Sequence, residues 1–186
     1  MVAHYKINLE GQRGSFILRQ GLKTKTVSFK ILKRKLNQRI NLILELIAEK
    51  YTTFNIKVCS QDEIQDLNYR FRGKNTPTDV LSFPFNDMTL LKENIETPWS
   101  TLGDLAVCFE VCWRNARRFR KSFGEEVEKM MIHGILHLKG FDHDRSQLAH
   151  KIMTGLEESI QKVVKSKLGC PEWIEYKIRE SREKRG

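Results

Sequence analysis

Apolar positions along the chain change their period several times, and each change marks a boundary. Leu32, Leu36, Ile40, Ile43, Leu44 and Ile47 recur at three- and four-residue intervals. That spacing predicts an amphipathic helix over SFKILKRKLNQRINLILELIAEK, with Ser28 as its N-cap. Lys30, Lys33, Arg34 and Arg39 read as its basic outer face. The stretch before it, GQRGSFILRQGLKTK, is rich in turn residues and holds a short strand candidate around Ser15 to Arg19. Downstream, FNIKVCS alternates like a half-buried strand, and QDEIQDLNYRFRG reads as a short helix closing at Gly73. Pro77 marks a turn, and DVLSF is a compact strand. Residues 86–101, with Asn, Asp and Pro, predict an exposed loop.

In the second half LGDLAVCFE is a strand and VCWRNARRFRK a helix with a basic end. Ser122 and Glu125 stand at capping-box spacing before the helical pattern of EEVEKMMIHGILHL. KIMTGLEESIQKVVKSKL completes the core as an amphipathic helix, and PEWIEYKIRESREKRG follows as a charged tail of helical character. Strands and helices alternate irregularly, with no internal repeat and no Pro/Ser-rich linker, so the expected class is α+β or mixed α/β in one domain. The domain is expected over residues 1–168, with a basic extension at 1–27 and the tail at 169–186.

Composition and charge narrow the picture further. The 186 residues suffice for one sizeable core. No apolar run is long enough to span a bilayer, and Met1 to Gly21 lacks the apolar centre of a signal peptide. Cys59, Cys108, Cys112 and Cys170 form no dense framework, so reduced thiols in a cytoplasmic protein are expected. The charge is uneven. The net value is +10, with 11 Lys/Arg against 3 Asp/Glu in residues 1–50 and 8 against 4 in residues 161–186. Basic ends around a near-neutral centre point to an anionic partner, nucleic acid before membrane.

The candidate chemistry sits in HGILHLKGFDH, residues 133–143. Its spacing is H-x-x-x-H-x-x-G-x-x-H, the ligand spacing of the metzincin metalloproteases. His133 and His137, four apart, share one helix face. Gly140 can take the left-handed conformation that ends a helix, so that His143 approaches from a third direction. Three imidazoles with an open fourth position describe a catalytic zinc (Zn2+) site. His150, in the next helix, is read as a neighbour rather than a ligand. The residue after His133, where those proteases carry a general-base glutamate, is Gly134. That argues against peptide cleavage, where the glutamate also delivers a proton to the leaving amine. It does not forbid hydrolysis, because zinc lowers the pKa of water it binds to about 7. A phosphodiester asks instead for neutralised phosphoryl charge, which a metal and a nearby arginine supply. Asp104, Asp142 and Asp144 are candidates to orient an imidazole N–H.

The segments FRGKNTPTDVLSFPF, LGDLAV and HGILHLKGFDH, in that order, resemble the YbeY endoribonuclease family. The resemblance is specific from about Phe54 to Leu168. It implies a zincin-like α+β domain with a small mixed sheet and the metal-bearing helix packed on it. It implies one metal, commonly zinc, on His133, His137 and His143, and it places the family's R-G-K arginine at Arg72. Arg72 also has a physical case, since its planar guanidinium matches phosphate and stays charged; a structural pairing with Asp79 is the alternative. The implied activity is single-strand-specific cleavage of ribosomal RNA, at the small-subunit rRNA 3′ end and in ribosome quality control. The implied partners are the small subunit, one of its ribosomal proteins and a ribosome-assembly GTPase. Lys30, Lys33, Arg34 and Arg39, with the cluster Arg114, Arg117, Arg118 and Arg120, are the candidates to guide an RNA backbone. The rival readings are a metzincin-like metallopeptidase and a non-catalytic ribosome-assembly factor with a structural metal.

Overall fold

The apolar stripe that follows Ser28 forms a helix from Phe29 to Ile47, and the stretches around it form strands. The structure is a computed structural model and describes residues 4–11, 15–20, 23–47, 51–85, 100–143, 146–171 and 173–177. In chain order the elements are β1 (His4–Gly11), β2 (Ser15–Gln20), β3 (Lys23–Ser28), α1 (Phe29–Ile47), β4 (Tyr51–Val58) and α2 (Gln61–Arg72). β5 (Val80–Pro84), β6 (Ser100–Val107), α3 (Phe109–Arg118), α4 (Phe123–Leu138), α5 (Gln147–Leu168) and β7 (Trp173–Lys177) complete the fold. The class is α+β, as expected. Of the loop expected over 86–101, residues 86–99 lie outside the described ones, and Ser100 and Thr101 already belong to β6.

One sheet has the order β1-β4-β6-β5. β1, β4 and β6 run parallel, and β5 joins the outer side of β6 antiparallel. Successive residues on a strand face opposite ways, so each strand serves two layers. Ile56, Val58, Leu105 and Val107 look into the main core, where they meet Leu36, Ile40 and Ile43 of α1, Met131 and Ile135 of α4 and Val164 of α5. Leu81, Ala106 and Cys108 belong to a smaller core closed by Ile64 and Leu67 of α2. α2 starts in a capping box between Ser60 and Glu63 and ends at Gly73, so Arg72 is its last residue.

At the β5–β6 edge the backbones approach so closely that a side chain has no room. A Cβ on Gly103 would lie 2.1 Å from the Phe83 carbonyl oxygen, and the residue has φ +130°. The glycine of LGDLAV is therefore a packing requirement of the sheet. The strand ends earlier than LGDLAVCFE suggested: Cys108 takes the N-cap position and Phe109 opens α3.

Two expectations are corrected. Arg39 does not belong to the basic outer face of α1. It is 7% exposed, and its guanidinium pairs with the Glu128 carboxylate of α4 and donates to the Gly169 carbonyl at 2.8 Å. Its helical position lies beside Leu36 and Ile40, so the side chain projects between helices. Arg34 is exposed and Lys33 half-buried, and the Lys30 side chain lies outside the described ones. The tail, in turn, is not helical where it is described. Residues 173–177, WIEYK, form β7, antiparallel to β2 in a second sheet of order β3-β2-β7. That segment carries aromatic and β-branched residues, which favour strands once a partner edge exists, and β2 supplies the edge. Among the described residues no helix is long and apolar enough to cross a membrane.

Candidate metal centre

α4 delivers two of the three histidines, and its start is well specified. The Ser122 hydroxyl accepts from the Glu125 backbone N–H at 3.2 Å, and the Glu125 carboxylate accepts from the Ser122 N–H at 3.2 Å. The expected capping box is thus present and holds the first turn. Eleven residues beyond Ser122, His133 lines a cleft shared with Val80 and Ser82 of β5, and His137 follows one turn later. After Leu138 the chain reverses. The Gly140 N–H donates to the His137 carbonyl and the Phe141 N–H to that of Leu136, with Gly140 at φ +87°. A residue with a Cβ resists that conformation, so the glycine makes the turn that brings His143 back over the helix.

The three rings converge. The His133 and His137 Nε2 atoms are 3.1 Å apart, and the His143 ring centroid lies 5.3 and 5.1 Å from theirs. One nitrogen from each ring falls within 4.8 Å of the others. Two imidazoles bound tetrahedrally to zinc at ~2.0–2.1 Å would have nitrogens roughly 3.3 Å apart, so the donor spacing fits such an ion. Protonation fits as well at His137. Burial lowers the His137 pKa, as do His133 and His143 beside it and Arg72, against the opposing Asp142. At His137 the neutral, lone-pair-bearing imidazole that a metal needs is therefore favoured.

His133 is also oriented. Its Nδ1 lies 2.7 Å from a carboxylate oxygen of Glu157, a residue of α5 that is 8% exposed. With Nδ1–H donating to that carboxylate, Nε2 carries the lone pair and faces the other histidines. Glu157 takes the role that the sequence reading offered to Asp104, Asp142 and Asp144. Asp104 cannot fill it, because its neighbour Leu105 faces α4 and Asp104 therefore faces the other way, where Asn55 donates to it at 2.7 Å. Asp142 does line the cleft, and Asp144 lies outside the described residues. A signal for Glu157 existed: it occupies the apolar stripe of α5 between Met153 and Ile160, where a carboxylate requires a partner. His150 is a neighbour, its ring centroid 6.0 Å from that of His143.

The histidines open onto a cleft of about 310 Å³ that also holds Arg72, Thr78, Asp79, Val80, Ser82 and Asp142. Arg72 is exposed at its rim. It does not make the alternative pairing with Asp79, whose two oxygens accept from the Val80 N–H and the Asn115 side-chain amide at 2.9 and 3.1 Å. The glutamate of a metzincin has no place here. A Cβ on Gly134 would come 2.8 Å from one methyl of Leu105, a side chain only 1% exposed, so this helix position is pressed against the sheet.

A family model described as "Endoribonuclease YbeY" matches residues 21–165, most of the chain. The chain belongs to the YbeY endoribonuclease family. Its YbeY relatives include "Endoribonuclease YbeY" of Aliarcobacter butzleri, 42% identical over 123 residues that make up 65% of this chain and 81% of that one. The protein of that name from Borreliella burgdorferi strain ZS7 is 38% identical over 122 residues, 64% of this chain and 79% of the relative. In Persephonella marina the identity is 30% over 136 residues, 73% and 86% of the two chains. Among solved structures, the solution structure of TM1509 from Thermotoga maritima aligns with a TM-score of 0.54 at 28% identity, over 87% of this chain and 91% of that one. The three segments that carry the YbeY resemblance meet around one cleft. FRGKNTPTDVLSFPF contributes Arg72, Asp79 and Ser82, HGILHLKGFDH the histidines, and LGDLAV the strand on which both rest.

Proposed function

We propose that the chain is a metal-dependent endoribonuclease acting on single-stranded regions of ribosomal RNA, with His133, His137 and His143 as ligands of one zinc ion and Arg72 as the residue that meets the scissile phosphate. The convergence of three imidazoles on the wall of a cleft that also contains Arg72 carries this reading. Zinc held there would supply Lewis acidity, drawing electron density from a phosphoryl oxygen or from water.

The remaining work falls to the chain's own groups. Glu157 fixes the tautomer and ring direction of His133. Arg72 donates from a planar fork to the non-bridging phosphoryl oxygens and offsets the charge that accumulates there as the bond to the leaving oxygen lengthens. Ser82 donates its hydroxyl to the Gly134 carbonyl at 3.2 Å and so ties β5 to the metal-bearing helix, fixing the width of the cleft. Lys33 and Arg34 on α1 and Arg114, Arg117, Arg118 and Arg120 at the end of α3 would guide the RNA backbone. In that reading the substrate is small-subunit rRNA near its 3′ end. The partners are the small subunit, one of its proteins and an assembly GTPase, and the setting is the cytoplasm. The catalytic domain then comprises the expected residues 1–168 together with β7, which completes the sheet of β2 and β3.

Two measurements test the proposal together. Protein purified without chelator should carry close to one zinc per chain, and it should cleave unstructured RNA while leaving duplex RNA and casein intact. His143→Ala should lose both the metal and the cleavage and keep its helical circular dichroism. Casein hydrolysis would favour a peptidase, and an unfolded His143→Ala would favour a structural metal.

A further inference from the structure

β5 is an outer strand of its sheet, and two of its consecutive residues serve different sites. Ser82 lines the histidine cleft, whereas Phe83 lines a separate groove of about 770 Å³ on the opposite face. The same division recurs at the end of α2, where Arg72 lines the cleft and Phe71 the groove. Cleft and groove are therefore back to back across one strand edge.

Among the described residues, α2 covers only part of this face of the sheet and leaves the groove beside it. Ala106 is buried under α2, but Asn55, Lys57 and Asp104 on β4 and β6 stay exposed as the floor. Phe71 stands at the wall with 59% of its surface exposed. Its ring is held edge-on to Phe83 with centroids 5.0 Å apart, and the Arg70 guanidinium carbon lies 5.7 Å from its centre. Lys33 of α1 and Lys57 bring positive charge to the groove. Lys57 is 3.3 Å from Glu63, an exposed pair that a phosphate can replace at little cost. Asn55 and Asp104, joined by their 2.7 Å hydrogen bond, present an amide and a carboxylate, the group types that read base edges. An accessible aromatic face, two lysines and a polar floor are the parts of a single-strand nucleotide site.

Resting on the endoribonuclease reading, we propose that the RNA strand to be cut crosses the β5 edge, with one phosphate at the histidines and Arg72 and the base of a flanking nucleotide stacked on Phe71 in this groove. The groove is then a source of single-strand specificity. A duplex has its bases already stacked and has no free face to offer Phe71.

The test uses the full chain and a fluorescent unstructured oligoribonucleotide of about ten nucleotides, with its duplex as comparison. Phe71→Ala should weaken single-strand binding by about tenfold and raise KM with kcat held, Phe71→Trp should restore both, and duplex binding should not respond. Lys33→Gln with Lys57→Gln should lower the salt slope of single-strand binding by about 1.4, the release expected from two phosphate contacts. Single-strand affinity unchanged in Phe71→Ala, while the wild type cleaves RNA, would overturn the groove alone and leave it to a protein segment. A wild type that neither binds nor cleaves RNA would remove the endoribonuclease reading and the groove with it.

Discussion

A methyl group at Gly103 would press into a backbone carbonyl that has no freedom to retreat, since that carbonyl belongs to the neighbouring strand. Gly103→Ala should therefore destabilise the fold by about 3 kcal/mol, read from a urea melt, whereas an alanine at Gly155, which has open space around it, should not. Glu157 makes a different kind of prediction, because its partner His133 is a proposed metal ligand rather than part of the core. Glu157→Ala should weaken zinc binding 10–100-fold in a chelator competition, and Glu157→Gln, whose carbonyl oxygen still accepts from Nδ1, should weaken it less. At this scale the sequence is informative where the information is local. The histidines and the bend at Gly140 lie within eleven residues, so their spacing alone predicts convergence. The His133–Glu157 and Arg39–Glu128 pairs span 24 and 89 residues, and no spacing rule reaches that far.

Helix starts were legible for a related reason: a cap is written within four residues. The box at Ser122 and Glu125 was readable, and the same device at Ser60 and Glu63 went unread although it begins the helix that ends in Arg72. Both set the phase of a helix that carries a site residue. Ser122→Ala should cost about 1 kcal/mol in chemical denaturation. The pH dependence of that loss has a definite sign. Burial pushes the Glu125 carboxyl up, but its bonds with the Ser122 hydroxyl and N–H outweigh this and hold it below the ordinary glutamate value. A carboxyl depressed in the folded state stabilises above its unfolded value and loses that contribution as the pH falls through the folded one. The gap between the wild type and Ser122→Ala should therefore be widest near neutral pH and narrow on acidification, to the part that the Glu125 N–H bond to the hydroxyl contributes, which melts at a series of pH values would show. Strands were less legible than helices. β7 reads as charged tail until β2 is placed beside it, since pairing depends on an edge that the segment does not itself contain.

Across the whole molecule, three helices meet at Arg39. The guanidinium of α1 pairs with Glu128 of α4 and donates to the chain just past α5, in a setting from which water is almost excluded. Burial pushes the Glu128 carboxyl up, and Arg39 only partly offsets this. Arg39→Ala should therefore cost 3–5 kcal/mol by stranding the carboxylate, while Arg39→Met combined with Glu128→Leu should recover most of the loss. Denaturant midpoints of the two variants against the wild type decide it. The second sheet adds a constraint of another kind. Ser15 pairs with Lys177, so the β2 edge stays bare until nearly all the described chain has been synthesised. During translation that edge is an adhesive surface, open to any extended segment nearby, and a product that stops short of Trp173 never covers it. A chain truncated just before Trp173 should consequently collect in inclusion bodies rather than behave as a slightly shorter, active enzyme, which the soluble fraction on expression would show.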